Sequence, residues 1–250
     1  MTDSIPVNNN IATPRYIQIA EQLILKIESG ELAYGTRLPP ERDLSHTFGV
    51  NRMTLRQALG VLEARGLLTR IQGSGTFVAR PRIERMAGKL YSFTSGMQQR
   101  GYQPSARIIF IELRQAEEPT SKKLELATGA QIIYSHRLRL LNNEPVMLEQ
   151  FALPAHRLPG FSSHDLCNRS IYEIMNTEYG IKIARAWQSL EPVIASPYEA
   201  SLLEIQPGAP LMLERRIAYD ENGSPVQYSK DLYRGDRFRF ITDSAPLEGY

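Results

Sequence analysis

The spacing of apolar residues changes near residue 80, and this change limits the fold more than any other feature of the chain. Up to that point, three stretches with apolar residues at helical spacing precede two short strand patterns. These segments are Tyr16–Gly30, Leu38–Gly49, Asn51–Arg65, Leu67–Ile71 and Thr76–Ala79. Glycine-rich residues join the two strands as a hairpin tip, so the order of elements predicts a winged helix-turn-helix at residues 12–80.

Beyond residue 90 the pattern is that of a β-rich domain. Apolar and polar residues alternate in six segments, about Ile108–Arg114, Ile132–Leu141, Pro145–Leu153, Ile183–Ile194, Leu211–Asp220 and Pro225–Arg234. Short helices are predicted near Phe93–Arg100, Thr120–Ala127, Ser170–Tyr179 and Pro197–Leu203. The sequence therefore predicts an α+β domain with a largely antiparallel sheet at 91–245, a linker at 81–90 and a disordered polar tail at 1–11.

A weak internal repeat lies within the second domain. Arg137–Val146 and Arg215–Val226 each combine an arginine-led strand, a polar turn and a Pro-Val strand. Each segment is therefore predicted to be a hairpin. Two such hairpins would form two halves of one sheet, with a pocket between them.

The composition is that of a globular protein with real cores, because 42% of the residues are hydrophobic and 22% are charged. A single cysteine, Cys167, excludes an intramolecular disulfide. The first residues lack the basic and apolar stretches of a signal peptide, and no segment approaches the roughly 18 apolar residues of a membrane span. We therefore expect a soluble protein of the cytoplasm.

Arginines are concentrated in the first domain. Residues 1–85 carry 11 lysines and arginines against 8 acidic residues, and the stretch from Arg52 to Arg82 holds six arginines, no lysine and one acid, Glu63. Guanidinium groups suit phosphate oxygens and guanine edges better than ammonium groups do. The charge favours double-stranded DNA as a partner, although a merely solvated face is the alternative.

The start of the third predicted helix carries the side chains that a DNA-reading helix needs. Such a helix contacts bases with its N-terminal residues, while flanking groups contact phosphates. Asn51 is a good N-cap, Arg52 suits a guanine, and Thr54 and Arg56 suit phosphates. The glycines of the hairpin tip let the backbone approach DNA closely. The predicted DNA-binding residues are Arg42, Asn51, Arg52, Met53, Thr54, Arg56, Gln72, Gly73, Ser74 and Gly75.

Several motifs resemble those of a known family. Leu38–Arg42, Asn51–Leu59 and Gly73–Val78 resemble the DNA-binding motifs of the GntR family of bacterial transcriptional regulators. Ser92–Thr94 and Tyr233–Phe238 resemble the effector-binding UTRA domain of its HutC subfamily, and within it most closely the repressors of amino-sugar (N-acetylglucosamine) utilisation. The resemblance spans about residues 12–243 and implies a chorismate-lyase-like fold for the second domain. Pro40 stands where the family usually has serine, so we assign it no DNA contact.

Residues of the second domain predict a site for an anion. Arg137 and Arg139 lie on one face of a strand, where two guanidiniums repel unless an anion or acidic residues lie between them. Ser170 precedes a predicted helix, whose free N–H groups attract anions. The alternatives are a salt-bridge network for the arginines and a core position for Tyr233.

The resemblance implies a phosphorylated amino sugar, glucosamine 6-phosphate or its N-acetyl form, as effector. Arg137, Arg139, Ser170 and Tyr172 would then hold the phosphate, with Ser92, Phe93 and Thr94 nearby, and Glu149, Gln227 and Tyr233 would face the sugar. Gln227 departs from the glutamate expected in such sensors. Urocanate, another sugar phosphate or a fatty acid are alternative effectors.

The predicted function is a ligand-responsive repressor that binds a pseudo-palindromic operator as a homodimer, with dimer contacts in the second domain. An enzyme is the remote alternative, because the four histidines are scattered without metal-ligand spacing and nucleotide phosphate loops are missing. We expect no metal and no cofactor. A constitutive DNA-binding protein whose second domain only dimerises is a third possibility.

Overall fold

The computed structural model describes residues 13–71, 73–88 and 92–243. The chain divides into two compact units, Met1–Arg82 and Ile83–Tyr250. No helix among the described residues is long and apolar enough to cross a membrane. The predicted tail at 1–11 and Gln72 of the predicted hairpin tip lie outside the described residues.

Three helices and a two-stranded hairpin form the first unit. Its elements are α1 (Arg15–Glu28), α2 (Glu41–Thr47), α3 (Arg52–Ala64), β1 (Leu68–Ile71) and β2 (Gly75–Val78). The predicted inward face of α3 is buried, and its residues pack with Ile19 and Leu23 of α1 in one core: Leu55, Ala58, Leu59 and Leu62. β1 and β2 pair in antiparallel register beside this core. The predicted winged helix-turn-helix is confirmed.

The described part of the second unit contains eight strands, and six of them form one antiparallel sheet. The strands are β3 (Ile83–Met86), β4 (Pro104–Gln115), β5 (Gln131–Leu141), β6 (Glu144–Pro154), β7 (Ile183–Ile194), β8 (Pro210–Asp220), β9 (Pro225–Arg234) and β10 (Phe238–Ile241). The helices are α4 (Phe93–Gln98), α5 (Glu118–Leu124), α6 (Ile171–Tyr179) and α7 (Pro197–Leu203), with 3-10 turns at Ala155–Arg157 and Phe161–Ser163. The sheet order is β4-β5-β6-β9-β8-β7, which confirms the predicted α+β class.

The predicted repeat extends beyond the two hairpins. The run β4-α5-β5-β6 has the same order of elements as β7-α7-β8-β9, and the two runs meet where β6 pairs with β9. Both short helices end at a glutamate with positive φ, Glu125 at 53° and Glu204 at 55°. The centre of the sheet is thus the seam between two similar halves.

The predicted linker at 81–90 is wrong at residues 83–86. These residues form β3, which pairs in parallel with β10 in a separate two-stranded sheet. Ile83 and Phe238 are buried where the strands meet. Neither four-residue strand was expected, because each is short and mixes charged with apolar residues, and their partners lie about 150 residues apart in the sequence.

Truncating the core of the first unit is expected to destabilise that unit alone. Leu62 is fully buried, so Leu62→Ala should lower the free energy of unfolding of residues 15–78 by about 2–5 kcal/mol. Hydrogen exchange followed by mass spectrometry should show faster exchange in α1 and α3, with little change in β5 and β6. Ile71→Ala, at a half-exposed position, is the control. An equal loss of protection in both units would contradict the division into two units.

Candidate functional site

The first turn of α3 is shaped by its N-cap. The side chain of Asn51 accepts hydrogen bonds from the backbone N–H of Thr54 at 2.8 Å and from its hydroxyl at 3.1 Å. The capping role of Asn51 is therefore confirmed, and its side-chain oxygen is occupied within the protein. Arg52 and Met53 are exposed on the same turn, and 65% of Met53 is accessible.

Arg56 is held by Glu41, an acidic residue that is not among the predicted DNA-binding residues. Its Nε donates to Oε2 of Glu41 at 2.7 Å, at the start of α2. Arg70 on β1 contacts the other oxygen of Glu41 at 3.4 Å and Glu63 at 3.2 Å. Glu41 thus joins α2, α3 and the hairpin, and it fixes the direction of two arginines. The acidic charge of Glu41, within the arginine-rich first domain and the Leu38–Arg42 motif, could have indicated that it pairs with an arginine.

The glycines of the hairpin tip are also required by the backbone conformation and by the space available within the protein. Gly73 and Gly75 have φ of 74° and 124°, which disfavour any other residue. A Cβ at Gly75 would also lie 2.9 Å from Nε of Arg37. Ser74 closes the turn through its N–H, which donates to the carbonyl of Ile71 at 3.0 Å. Arg42 lies on α2 with an exposed side chain that contacts Asp43 at 3.1 Å.

A small polar cavity lies in the second unit. Nine of the ten predicted effector-binding residues line it: Ser92, Phe93, Thr94, Arg139, Glu149, Ser170, Tyr172, Gln227 and Tyr233. The structure therefore brings together residues from α4, β5, β6, α6 and β9. Arg137 is the exception, because it is fully buried and is not among the residues that line the cavity.

An internal carboxylate lies between the two predicted anion-binding arginines. Arg137 donates to Oε2 of Glu149 from Nε at 2.9 Å, and Nη1 of Arg139 lies 3.5 Å from the same oxygen. Arg137 also donates to the carbonyl of Leu166 at 2.6 Å. Burial opposes ionisation of Glu149, but the two guanidiniums outweigh it and hold the pKa of the carboxyl below its ordinary value. The salt-bridge alternative is thus present here, and Arg137 supports the wall of the cavity.

Two helices begin at the cavity. Ser92 and Ser170 are the N-caps of α4 and α6, and each side chain accepts from a backbone N–H of its own helix at 3.4 Å. The two hydroxyls are hydrogen-bonded to each other at 2.7 Å. Arg139 reaches the same region, where its Nη2 donates to the hydroxyl of Thr94 at 2.8 Å.

A second buried charge cluster was missed from the sequence. Arg85 on β3 and Arg216 on β8 line the cavity, and they contact Oε2 of Glu214 at 3.2 Å and 2.5 Å. The hydroxyl of Tyr233 donates to the same oxygen at 3.0 Å. Arg216 also donates to the hydroxyl of Tyr172 at 3.4 Å. Arg85 falls in the segment expected to be a linker. Arg215 and Arg216 are adjacent in the sequence, so strand alternation puts them on opposite faces and predicts no pair of arginines there.

Removing Arg137 is expected to destabilise the second unit. Loss of one partner of a buried ion pair costs about 3–5 kcal/mol, because the other charge stays buried without compensation. Arg137→Met should therefore shift the urea transition of this unit to a lower concentration. Fluorescence of Trp187, the only tryptophan, reports on this unit because it lies in β7. Arg107→Met, at an exposed position of β4, is the matched control. Equal transition midpoints for the two variants would contradict a supporting role for Arg137.

Comparisons with known proteins agree with this architecture. Residues 15–78 match the model of the bacterial regulatory proteins of the gntR family, and residues 99–239 match the UTRA domain. The HTH-type transcriptional repressor NagR of Bacillus subtilis is 39% identical over 94% of this chain and 96% of its own length. The histidine utilization repressor of Pseudomonas putida is 28% identical over 90% of each chain.

A solved structure shows the same fold. The crystal structure of PhnF from Mycobacterium smegmatis superposes with a TM-score of 0.65 and 27% identity, over 91% of this chain and 99% of that one. The relatives are regulators and not enzymes, in line with the prediction from the sequence. The chain belongs to the gntR family, and it is a DNA-binding transcriptional repressor of the HutC type with a UTRA domain as its second half.

Proposed function

We propose that an anionic effector, an amino-sugar phosphate such as glucosamine 6-phosphate or N-acetylglucosamine 6-phosphate, controls the affinity of this repressor for its operator. The observation that carries the proposal is the charge around the cavity. Four buried arginines outnumber three buried carboxyl groups: Arg85, Arg137, Arg139 and Arg216 against Glu149, Glu214 and Asp231. A phosphate carries about −1.5 to −2 charges at pH 7 and would offset this excess.

The phosphate would bind where Arg139 meets the start of α6. Arg139 lines the cavity, and its Nε has no hydrogen-bond partner within the described part of the chain. Ser170 and the first N–H groups of α6 add donors and a positive partial charge. The carboxylate of Glu149 now lies between the two arginines, so we infer that the effector phosphate competes with it for Arg139. Such competition would change the position of Glu149 on binding.

The sugar would face the β6–β9 side of the cavity. Glu149, Gln227 and Tyr233 lie there, and Oε1 of Gln227 lacks a hydrogen-bond partner among the described residues. The resemblance of the sequence motifs to those of amino-sugar repressors supports an amino-sugar ligand, and the repressor NagR is similar to this chain over nearly its whole length. The similarity to the histidine utilization repressor favours urocanate or a related acid as the alternative.

Chain connectivity offers a route from the cavity to DNA. Arg82, the last residue of the first unit, donates from its guanidinium to the carbonyl of Arg65 at the C-terminal end of α3. Three residues later, Arg85 lines the cavity. If the effector displaced β3, the movement would reach Arg82 through the chain and would disturb its hydrogen bond to the C-terminal end of α3, the helix proposed to contact DNA. In this proposal residues 82–86 transmit the signal in place of a flexible linker.

We further propose that the protein binds a pseudo-palindromic operator as a homodimer. It would act in the cytoplasm, where the DNA lies. One winged helix buries a small interface, and two that bind half-sites about one helical turn apart gain affinity together. The second unit is the expected source of the dimer contact. Its edge strands β4 and β7 carry exposed apolar residues, among them Leu113 at 65% and Ile194 at 74% accessibility.

The two arginines of α3 are expected to differ in what they read. Arg52→Ala should weaken operator binding by about 1–3 kcal/mol and relax the base preference, whereas Arg56→Ala should weaken all sequences nearly equally. Gel shifts on sites selected from a random DNA pool measure both effects, and the selected sites should be inverted repeats. Arg15→Ala on α1 is the control. Binding by both variants at the level of the parent protein would refute this placement of the recognition helix.

Effector binding is expected to depend on the phosphate. Charge-assisted bonds are worth roughly 1.5–3 kcal/mol, so Arg139→Met should weaken binding of glucosamine 6-phosphate about tenfold to a hundredfold. The same variant should still bind the operator but lose its response to the sugar phosphate. Calorimetry on the full chain measures the affinity, with Arg107→Met as control. Equal affinities for phosphorylated and free sugar would argue against the anion site, and a response to urocanate alone would replace the effector.

A further inference from the structure

Asp231 lies at the centre of a row of carboxyl groups that crosses the middle of the sheet. On β9 it is directly opposite Glu149 of β6 and Glu214 of β8. Directly opposite side chains of an antiparallel pair have Cβ atoms about 4.5–5.5 Å apart. Three acidic residues from three adjacent strands therefore lie side by side on the face that forms the cavity.

Asp231 differs from its two neighbours in its partners. Glu149 is paired with Arg137, and Glu214 is paired with Arg85 and Arg216. The guanidinium of Arg216 lies 4.0 Å from Oδ2 of Asp231, beyond hydrogen-bond distance. The middle acid of the row therefore lacks the close cation that each flanking acid has.

One oxygen of Asp231 is available to a ligand. The residue lines the cavity, only 3% of it is exposed, and Oδ1 has no hydrogen-bond partner among the residues that the structure describes. Oδ2 accepts from the hydroxyl of Ser229 at 3.3 Å. Buried polar atoms are almost always hydrogen-bonded, so an unpartnered oxygen at a cavity wall indicates a missing donor. The donor can come from the effector.

The surroundings of Asp231 also control its proton. Burial, followed by the negative charge of Glu149, raises the pKa of Asp231 well above its ordinary value, and the positive charge of Arg216 opposes this. The charged and titratable groups that face it are Glu149 on β6, Glu214 and Arg216 on β8, Arg85 on β3, Tyr172 on α6 and Tyr233 on β9 itself. A cation placed beside Asp231 would stabilise its carboxylate and those of both neighbours.

We propose that Asp231 is the specificity-determining residue for an amino group on the effector, which it binds as a carboxylate paired with the ligand's ammonium. The inference rests on the proposed function, since it places the amine of a sugar phosphate whose phosphate lies at Arg139. An N-acetyl group carries no charge and offers one N–H donor, so it gains less from the row of acids. The protein therefore prefers glucosamine 6-phosphate to its N-acetyl form.

The proposal includes a proton transfer that can be measured. In the free protein Asp231 keeps its proton to a higher pH than an ordinary aspartic acid. When the ammonium binds, the O–H bond of Asp231 breaks, the proton passes to the buffer, and the carboxylate pairs with the ammonium. The affinity for the amine therefore rises with pH while Asp231 of the free protein loses its proton. The N-acetyl form does not require this step.

The decisive measurement is the ratio of the affinities for glucosamine 6-phosphate and N-acetylglucosamine 6-phosphate. Both ligands carry the same phosphate, so its own titration cancels in the ratio. Calorimetry on the full-length parent protein should show a preference for the amine. Asp231→Asn should lower that preference roughly tenfold, because a charge-assisted bond becomes a neutral one, and should leave the N-acetyl form nearly unaffected. Asp236→Asn, which removes a half-exposed carboxylate of the same unit, should leave the ratio unchanged.

The pH dependence separates a charged partner from a merely polar one. Below about pH 7, under the range in which α-amino groups lose their proton, the ratio should rise with pH in the parent protein and stay flat in Asp231→Asn. Titrations in two buffers with different ionisation enthalpies should show proton release with the amine only. Should the asparagine variant fail to fold, as judged by circular dichroism, Asp231→Ser gives the same comparison.

The outcomes distinguish this inference from the proposed function. If both sugar phosphates bind the parent and Asp231→Asn leaves the ratio and its pH dependence unchanged, the role of Asp231 is wrong while the sugar-phosphate effector stands. A preference of the parent for the N-acetyl form would also overturn it. If neither ligand binds, the proposed effector is wrong and this inference is wrong with it.

Discussion

The burial of six ionisable side chains on one face of the six-stranded sheet, joined by Arg85 from β3, is the constraint on which the second unit depends. A buried charge without a partner costs several kcal/mol, so each arginine and each glutamate must meet an opposite charge or a hydrogen-bond partner. The antiparallel register supplies these meetings: Arg137 is opposite Glu149, Glu149 is opposite Asp231, and Asp231 is opposite Glu214. A shift of one residue in any of the central strands would turn its member of the row to the other face of the sheet. The same register that builds the cavity therefore also fixes the fold.

The buried charge cluster is held by ion pairs, but some of its polar atoms lack hydrogen-bond partners among the described residues. The arginines are held by Glu149 and Glu214, yet polar atoms of Arg139, Gln227 and Asp231 lack partners within the described residues. Native proteins leave few such atoms, so each of the three at the cavity calls for a partner such as a ligand, an ion or a water molecule. The first unit shows a similar division, because Glu41 holds Arg56 and Arg70 while Arg52 is exposed. In each unit internal contacts fix the direction of some charged groups and leave others for a partner.

The fold could be predicted from the sequence wherever local patterns determine it. The helical spacing in α1 and α3 and the alternation in β5 and β9 repeat over ten or more residues, so their type and approximate bounds followed directly. The pairing of β3 with β10 could not be foreseen, since it joins two short segments far apart in the chain. Arg85 was missed for this reason.

For the candidate site, the sequence predicted which side chains lie on the same face of the sheet. Period-two alternation placed Arg137 and Arg139 together, and the hairpin repeat placed them near Glu149 and Tyr233. The sequence did not reveal that Glu149 would lie between the two arginines, because that depends on strand register and side-chain conformation. It likewise showed no difference between Asp231 and the acids beside it, which arises from their unequal access to arginines.

The short distance along the chain between Arg82 and Arg85 has a consequence for modular exchange of sensor domains. Arg82 contacts the end of α3 and Arg85 contacts Glu214, so each arginine is matched to a different half of the protein. A chimaera that combines this DNA-binding half with the sensor of a relative should therefore be joined between Arg82 and Arg85, where the chain divides into its two units. A junction placed after Arg85 would import an arginine unmatched to the new cavity, and a residue inserted within β3 ahead of Arg85 would turn that side chain to the opposite face of the strand. The interchangeable parts of this regulator are therefore separated by no more than three peptide bonds.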